Sequence, residues 1–215
     1  MEQQPGAGRP RGARAPGGPA MAAMIAAALA TTGCQGMAKT PEREPAEDAV
    51  RIDNTVADWP LKFVQHSFGA FCYSTYGCRV VYNGFDHTND PDDELQRSSA
   101  SLGDRYPDNL YGSYLGVSNF PPPARVSWRS SDGMSHEAEV DIGEIFRDRL
   151  ILHNVAREDV RQGVSILDPA ILLEVNDRTI NVYMRARVPT RTAREQGLPT
   201  GNFREDLVLA WTRTY

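Results

Sequence analysis

Apolar and polar residues alternate along much of the chain after Trp59, most clearly in the segment 124–142. Alternation of this kind places one set of side chains on one face of a strand. The sequence Ser-Asp-Gly at 131–133 divides the segment and is typical of a turn, so the segment predicts a β-hairpin. The alternating apolar positions are Val126, Trp128, Ala138, Val140 and Ile142.

Other segments also predict strands. The stretches 61–74 and 78–85 are rich in aromatic and β-branched residues, and 75–77 (Thr-Tyr-Gly) is a candidate turn between them. The stretch 170–188 predicts a second hairpin that turns at 176–178, and 206–215 predicts a final strand. Apolar positions of the second hairpin are Val175, Ile180, Val182 and Met184.

Two segments break the strand pattern. In 143–159, Ile145, Phe146, Leu150 and His153 recur at helical spacing, which predicts a short amphipathic helix that covers the sheet. The segment 86–123 is polar and rich in Tyr and Gly, and it predicts a long irregular loop. The predicted fold class is therefore mainly β with a short helix (α+β): an antiparallel sheet or sandwich built from hairpins.

The N-terminal residues follow a different pattern. After Met1, residues 2–20 are rich in Gly, Pro, Arg and Ala and have no large apolar side chain, and 21–32 form a short run of small and apolar residues. Basic residues before a short apolar run and a small residue after it are typical of a secretory signal peptide. The alternative is an Ala-rich buried helix. We interpret residues 1–33 as a signal peptide.

The sequence Thr-Thr-Gly-Cys at 31–34 resembles a bacterial lipobox, although Thr31 stands where leucine is usual. The resemblance implies that Cys34 is lipidated (palmitate) and becomes the N-terminus of a lipoprotein. Gln35 stands where aspartate would imply retention in the inner membrane, so the resemblance implies the periplasmic face of the outer membrane. Several acyl chains together anchor a protein stably.

Residues 34–58 form the lipidated N-terminus and, because they are polar and contain Pro41 and Pro45, a flexible tether. Residues 59–215 form the single predicted globular domain. The whole chain has 215 residues, a net charge of −5 and 40% hydrophobic residues; without residues 1–33 it has 20 basic and 27 acidic residues, or −7. This acidic balance argues against a nucleic-acid partner.

The other two cysteines, Cys72 and Cys78, are separated by five residues. An even number of cysteines in an oxidising compartment favours a structural disulfide. A redox pair usually has only two intervening residues, and no second cysteine pair completes a zinc site. The sequence therefore predicts a Cys72–Cys78 disulfide, no bound metal and no cofactor.

Catalytic patterns are weak. No Gly-x-Ser-x-Gly motif occurs, because the stretches around Ser113 and Ser118 lack the required glycine spacing. His66 and Ser67 are adjacent and would point to opposite faces of a strand. The histidines (His66, His87, His136 and His153) form no short metal-binding motif. We expect that the chain is not an enzyme.

The predicted loop combines carboxylates with tyrosines, a composition typical of protein interfaces. Pro91 stands where a calcium loop of the EF-hand type needs glycine. The alternatives are a solvated acidic loop, an irregular calcium site, and tyrosines that pack beneath the loop. The candidate partner-binding residues are Asp86, Asp90, Asp92, Asp93, Glu94, Tyr106, Tyr111 and Tyr114.

The segments 60–83, 119–146, 171–190 and 207–215 together resemble bacterial lipoproteins found with type VI secretion phospholipase effectors. Members of that group act as immunity proteins in the periplasm, where they bind the toxic lipase and protect the cell's own membranes. The resemblance implies a protein partner, a secreted lipase, and attachment to the membrane through the lipid anchor. It transfers no inhibitory contact residues. The alternatives are a structural or accessory envelope lipoprotein, and a lipoprotein that binds calcium or a small ligand.

Overall fold

The computed structural model describes residues 58–191 and 202–215. The predicted signal peptide, the lipidation site Cys34 and residues 35–57 of the predicted tether lie outside the described residues. No helix in the described ranges is long and apolar enough to cross a bilayer. The strands are β1 (Gln65–Tyr73), β2 (Thr75–Tyr82), β3 (Phe85–Asn89), β4 (Tyr114–Ser118), β5 (Ala124–Ser130), β6 (Ser135–Val140), β7 (Ala170–Asn176), β8 (Thr179–Pro189) and β9 (Phe203–Thr214).

The strands form two sheets. The five-stranded sheet has the order β4-β1-β7-β8-β9, and the four-stranded sheet has the order β3-β2-β5-β6. Neighbouring strands are antiparallel except β1 and β7, which are parallel. The described chain also has one α-helix, α1 (Ile142–Ile145), and two 3-10 helices at Ser99–Arg105 and Arg157–Asp159. The predicted fold class, mainly β with few helices, is confirmed.

Both sheets contribute side chains to one buried core. The strand alternation turns the apolar set of each sheet toward the other sheet, where dispersion contacts and removal from water stabilise it. The strand side chains of this core are at most 3% exposed. The strand residues of this core include Phe68, Val80, Tyr82, Val126, Trp128, Ile171, Leu173, Val182 and Met184.

The two predicted hairpins are confirmed. β5 and β6 pair with Val126 opposite Ala138, and β7 and β8 pair with Val175 opposite Ile180. Asp177 adopts φ 54° in the turn between β7 and β8. The predicted C-terminal strand is also present, because β9 pairs along β8.

The turn predicted at 75–77 lies elsewhere. The chain turns at Ser74, which has φ 53°, and β2 already begins at Thr75. Consecutive strands β1 and β2 do not form a hairpin, because β1 joins the five-stranded sheet and β2 joins the four-stranded sheet.

The helix predicted across 143–159 is much shorter. It spans four residues, Ile142–Ile145, and is capped by Asp141, whose carboxylate accepts a hydrogen bond from the Glu144 N–H (2.9 Å). After Phe146 the chain pairs with 61–63 instead: the Ile151 N–H donates to the Leu61 carbonyl at 2.9 Å. Apolar residues at helical spacing therefore enter the core from an extended chain.

The predicted loop 86–123 is partly regular. β3 occupies one edge of the four-stranded sheet and β4 one edge of the five-stranded sheet, and the Ser99–Arg105 3-10 helix lies between them. The irregular part is therefore confined to the residues between and after these elements. The segment 99–111 covers the outer face of the five-stranded sheet, where Leu102 and Leu110 pack with Leu172 in a second apolar cluster.

Candidate functional site

The predicted acidic residues begin at Asp86 on β3, which is paired with Arg79 on β2. The guanidinium donates two hydrogen bonds to the carboxylate, from Nε to Oδ1 (2.9 Å) and from Nη2 to Oδ2 (3.0 Å). These bonds hold the pKa of Asp86 below its usual value. Both side chains are about half exposed (54% and 45%), so solvent screens the ion pair and it adds little stability.

Asp90 lies close to the two cysteines. Its backbone N–H donates to the Cys78 carbonyl at 3.1 Å. Burial raises the pKa of Asp90, and the negative charge of Glu94 adds to that shift. The Asp90 side chain is therefore partly buried in the fold, whereas the acidic residues that follow it are exposed.

Asp92, Asp93 and Glu94 form an exposed acidic tip. The tip is tied to the start of β2, because the Gly77 N–H donates to the Pro91 carbonyl at 2.9 Å. Gly77 has φ 54°, where glycine is less strained than other residues, and a Cβ atom there would displace the Asp92 side chain, so glycine favours this approach.

The three predicted tyrosines lie apart from the acidic tip. The Tyr106 hydroxyl donates to Glu174 on β7 (3.1 Å), and the guanidinium of Arg185 on β8 lies 4.4 Å from the Tyr111 ring centroid. Both tyrosines therefore belong to the outer face of the five-stranded sheet. Tyr114 on β4 instead packs with Phe85 on β3, with ring centroids 4.8 Å apart.

Glu174 is a fully buried carboxylate beneath the segment 99–111. It accepts hydrogen bonds from the Tyr106 hydroxyl (3.1 Å), the Tyr183 hydroxyl (3.2 Å) and the Asn181 amide (2.9 Å). Burial, followed by the charge of Glu174, raises the pKa of Tyr183. The satisfied network joins the covering segment to the sheet, and it assigns Tyr106 a structural role.

A groove crosses the outer face of the four-stranded sheet. It consists of three adjoining concavities of about 450, 400 and 330 Å³. Neighbouring concavities share lining residues: Ser127 and Glu137 at one junction, and Val81, Arg125 and Glu139 at the other. Asp92 lines one end, so the acidic tip borders the groove.

The groove carries side chains of both charges. In the β5–β6 register, Arg125 lies opposite Glu139 and Ser127 lies opposite Glu137. Arg129 lies further along β5, where its guanidinium donates to the Asp92 carbonyl and lies 5.0 Å from the Tyr76 ring centroid. The face is accordingly polar, whereas the opposite face of the same sheet enters the core.

Cys72 and Cys78, the predicted pair, are disulfide-bonded with an S–S distance of 2.01 Å. With Asp90 they form the described residues' one group of three or more potential metal ligands. Sulfur atoms joined in a disulfide are not thiolates, so this group does not supply the ligands that zinc requires. The carboxylates of the acidic tip form no such group within the described ranges.

Ser130 and His136 form a serine–histidine pair that the sequence reasoning missed, with Oγ and Nε2 2.9 Å apart. Ser130 also hydrogen-bonds to the carboxylate of Asp132. The Met134 carbonyl lies 3.2 Å from the same hydroxyl. A carboxylate and a carbonyl only accept, so the single hydroxyl hydrogen goes to one of them and His136 Nε2–H donates to Ser130. A histidine that donates to the serine cannot take its proton, and Ser130 is fully buried. The pair stabilises the β5–β6 turn.

His66 is also buried in a structural network. The Asn119 amide donates to the Phe63 carbonyl (3.0 Å), which leaves its oxygen to accept from His66 Nδ1–H (2.7 Å). His66 Nε2 can then accept from the Tyr82 hydroxyl at 3.2 Å. Burial lowers the pKa of His66 and favours this neutral form.

Comparisons with known proteins find no match to a family model, a curated protein or a solved structure. The groove was missed by sequence reasoning because Arg125, Glu137 and Glu139 occupy the polar positions of a hairpin, which ordinarily face solvent. The one available signal was that these alternate positions carry charges of both signs.

Proposed function

We propose that this chain is a lipid-anchored immunity protein of the periplasm that binds and neutralises a type VI secretion phospholipase effector. The observation that carries the proposal is the groove of mixed charge on the four-stranded sheet, bordered by the exposed acidic tip Asp92–Glu94. The segment resemblance to lipoproteins of this group supports the class of partner. Neither the groove nor the resemblance depends on a catalytic motif in this chain.

Binding alone is sufficient for this function. A lipase is inactivated when a partner covers its substrate cleft or holds its lid in place. An anchor at Cys34 and a tether over 35–58 would keep the domain close to the membrane that the lipase attacks. The disulfide between Cys72 and Cys78 suits an oxidising compartment.

A non-catalytic role is supported by the chemistry of the polar clusters. The Ser130–His136 pair has its hydrogen bond in the wrong direction for a nucleophile and base, and His66 is occupied on both ring nitrogens. Each cluster links strands or turns. We accordingly propose that the chain acts by binding to a protein partner.

The acidic residues do not favour the calcium alternative. Asp86 is paired with Arg79, and the Asp90 carboxylate lies beside the disulfide, so these two of the five carboxylates do not lie in the exposed acidic tip. Calcium needs six to eight converging oxygen atoms. An accessory envelope role remains the alternative class, and it predicts binding to envelope components in place of a lipase.

Co-purification tests the proposal. The proposal predicts that a lipase with a Gly-x-Ser-x-Gly motif is encoded beside this chain's gene, and a tagged chain 34–215 would be incubated with that lipase. We expect a stoichiometric complex, and deletion of this chain should be toxic only in cells whose lipase is active. Failure to bind that lipase, or toxicity that is independent of it, would reject the proposal.

A further inference from the structure

We propose that the groove on the four-stranded sheet holds an extended segment of the phospholipase that carries charges of both signs. In this arrangement, carboxylates of the segment meet Arg125 and Arg129, and a Lys or Arg side chain meets Glu137 and Glu139. The inference rests on the proposed function and names its contact surface.

The shape of the groove fits an extended chain. Its lining residues run along β5 from Arg125 to Arg129 and include the adjacent positions of β2 and β6. The lining takes up five positions of β5, and a strand advances roughly 3.3 Å per residue, so the groove follows β5 for about 13 Å. An extended segment of about four to five residues occupies that length.

The charges are arranged in two rows. Alternate residues of a strand share a face, so Arg125, Ser127 and Arg129 form a row along β5. Glu137 and Glu139 form the neighbouring row along β6. The rows lie side by side in one cross-strand register, which gives the groove a basic side and an acidic side.

These charges are available to a partner. Arg125, Glu137 and Glu139 are exposed, and the structure gives them no ion pair with another described residue. Arg79, in contrast, is held by Asp86 at the side of the groove. Exposed charges of both signs on a concave surface select a partner by electrostatic complementarity.

The same charges favour a protein segment over a nucleic acid or an anionic membrane. Phosphate groups that approached Arg125 would also approach Glu139 directly across from it. A polypeptide can place a carboxylate and a basic side chain at the matching positions. The Tyr76 ring beside Arg129 and the Val81 side chain supply apolar contact area in the groove.

Charge reversal tests the inference. The double variant Arg125→Glu/Glu139→Arg keeps the net charge and keeps opposite charges at the two facing positions, but it exchanges their signs at that end of the groove. We expect its affinity for the purified lipase encoded beside this gene to fall about a hundredfold, because like charges then meet. Equal affinity of the reversed variant and the wild type would overturn the inference while leaving the proposed function intact.

A matched control lies on the other sheet, where Arg187 on β8 is opposite Glu205 on β9. The variant Arg187→Glu/Glu205→Arg should bind with wild-type affinity; if it loses as much affinity as the groove variant, the inference fails. Should the reversed groove variant not fold, Arg125→Gln and Glu139→Gln should each weaken binding about tenfold, and no weakening would overturn the inference. A wild-type chain that does not bind the lipase rejects the proposed function itself.

Discussion

Cys72 and Cys78 are six residues apart, and their disulfide joins two different sheets. Cys72 lies on β1 of the five-stranded sheet, and Cys78 lies on β2 of the four-stranded sheet. The bond crosses the point at which the chain leaves one sheet for the other at Ser74. It therefore links the two layers that enclose the core.

Replacement of both cysteines by serine should destabilise the fold. The bond closes a short loop, for which chain-entropy scaling gives a loss of about 2 kcal/mol in the free energy of unfolding. Urea unfolding of the wild-type chain, with and without reductant, measures this loss. The Cys72→Ser/Cys78→Ser variant is the control, because reductant should not change its midpoint. A wild-type midpoint that does not respond to complete reduction would contradict the prediction.

Removal of the buried Glu174 carboxylate should be more costly. Glu174→Leu leaves the hydroxyls of Tyr106 and Tyr183 and the Asn181 amide without their acceptor, and we expect a loss of about 3 kcal/mol. The matched variant Tyr106→Phe removes one donor and keeps the acceptor satisfied, so it should cost about 1 kcal/mol. Denaturant midpoints measure both values. Equal losses of unfolding free energy in the two variants would show that Glu174 is not the common acceptor of these donors.

Stability should fall as the pH is lowered from 7.5 to 5.5. Burial lowers the pKa of His66 below its usual 6.5, so the unfolded chain binds more protons than the folded chain in this range. The contribution of His66 to the free energy of unfolding is complete above pH 6.5. It is lost as the pH falls toward the lower pKa that His66 has in the folded chain. His87 and His153 shift in the same direction, while burial raises the pKa of Asp90 and Asp168, which act oppositely at lower pH.

Urea unfolding at several pH values measures this dependence. The variant His66→Gln should show a smaller loss between pH 7.5 and 5.5 than the wild type, whatever its absolute stability. Identical pH slopes for the two chains would show that His66 does not contribute.

Local patterns predicted the parts of the fold that local contacts determine. The β5–β6 and β7–β8 hairpins each have alternating residues on both sides of a short turn, so their pairing follows from neighbouring sequence. The parallel pairing of β1 with β7 brings together residues about a hundred positions apart, as in Phe68 opposite Ile171. No turn signal encodes a contact of that range.

The helix prediction failed because spacing alone does not distinguish a helix from an irregular buried chain. Phe146 and Ile151 are buried, but Leu150 forms an isolated bridge with Lys62 and the helix ends at Ile145. β3 was missed for another reason. Its sequence, Phe-Asp-His-Thr-Asn, is polar because it lies at a sheet edge, and polar residues are common on exposed edges.

The candidate site was predicted in part. Asp92 of the exposed acidic tip lines one end of the groove, whereas Tyr106 is bound to Glu174 and Tyr114 packs against Phe85. The composition of the segment indicated residues suited to an interface, but only the pairing of β2, β5 and β6 brings the groove together. A groove whose lining comes from strands distant in sequence cannot be recognised from the sequence of any single segment.

Lipidation at Cys34 should attach the chain to the membrane without changing its affinity for the lipase. We expect Cys34→Ser to abolish palmitate labelling and to release the chain from the membrane fraction, because the thiol is the attachment point. The affinity of the chain 34–215 for its lipase should be unchanged by this substitution. Palmitate labelling that persists in the Cys34→Ser variant would contradict the assignment of the lipobox.

Inhibition of the purified lipase tests the central claim most directly. Phospholipid hydrolysis by the lipase encoded beside this gene would be measured while the wild-type chain 34–215 is added in increasing amounts. The account predicts that activity falls to background near one equivalent of the chain, since binding alone neutralises the enzyme. Full hydrolysis in the presence of a large molar excess of the folded chain would contradict it.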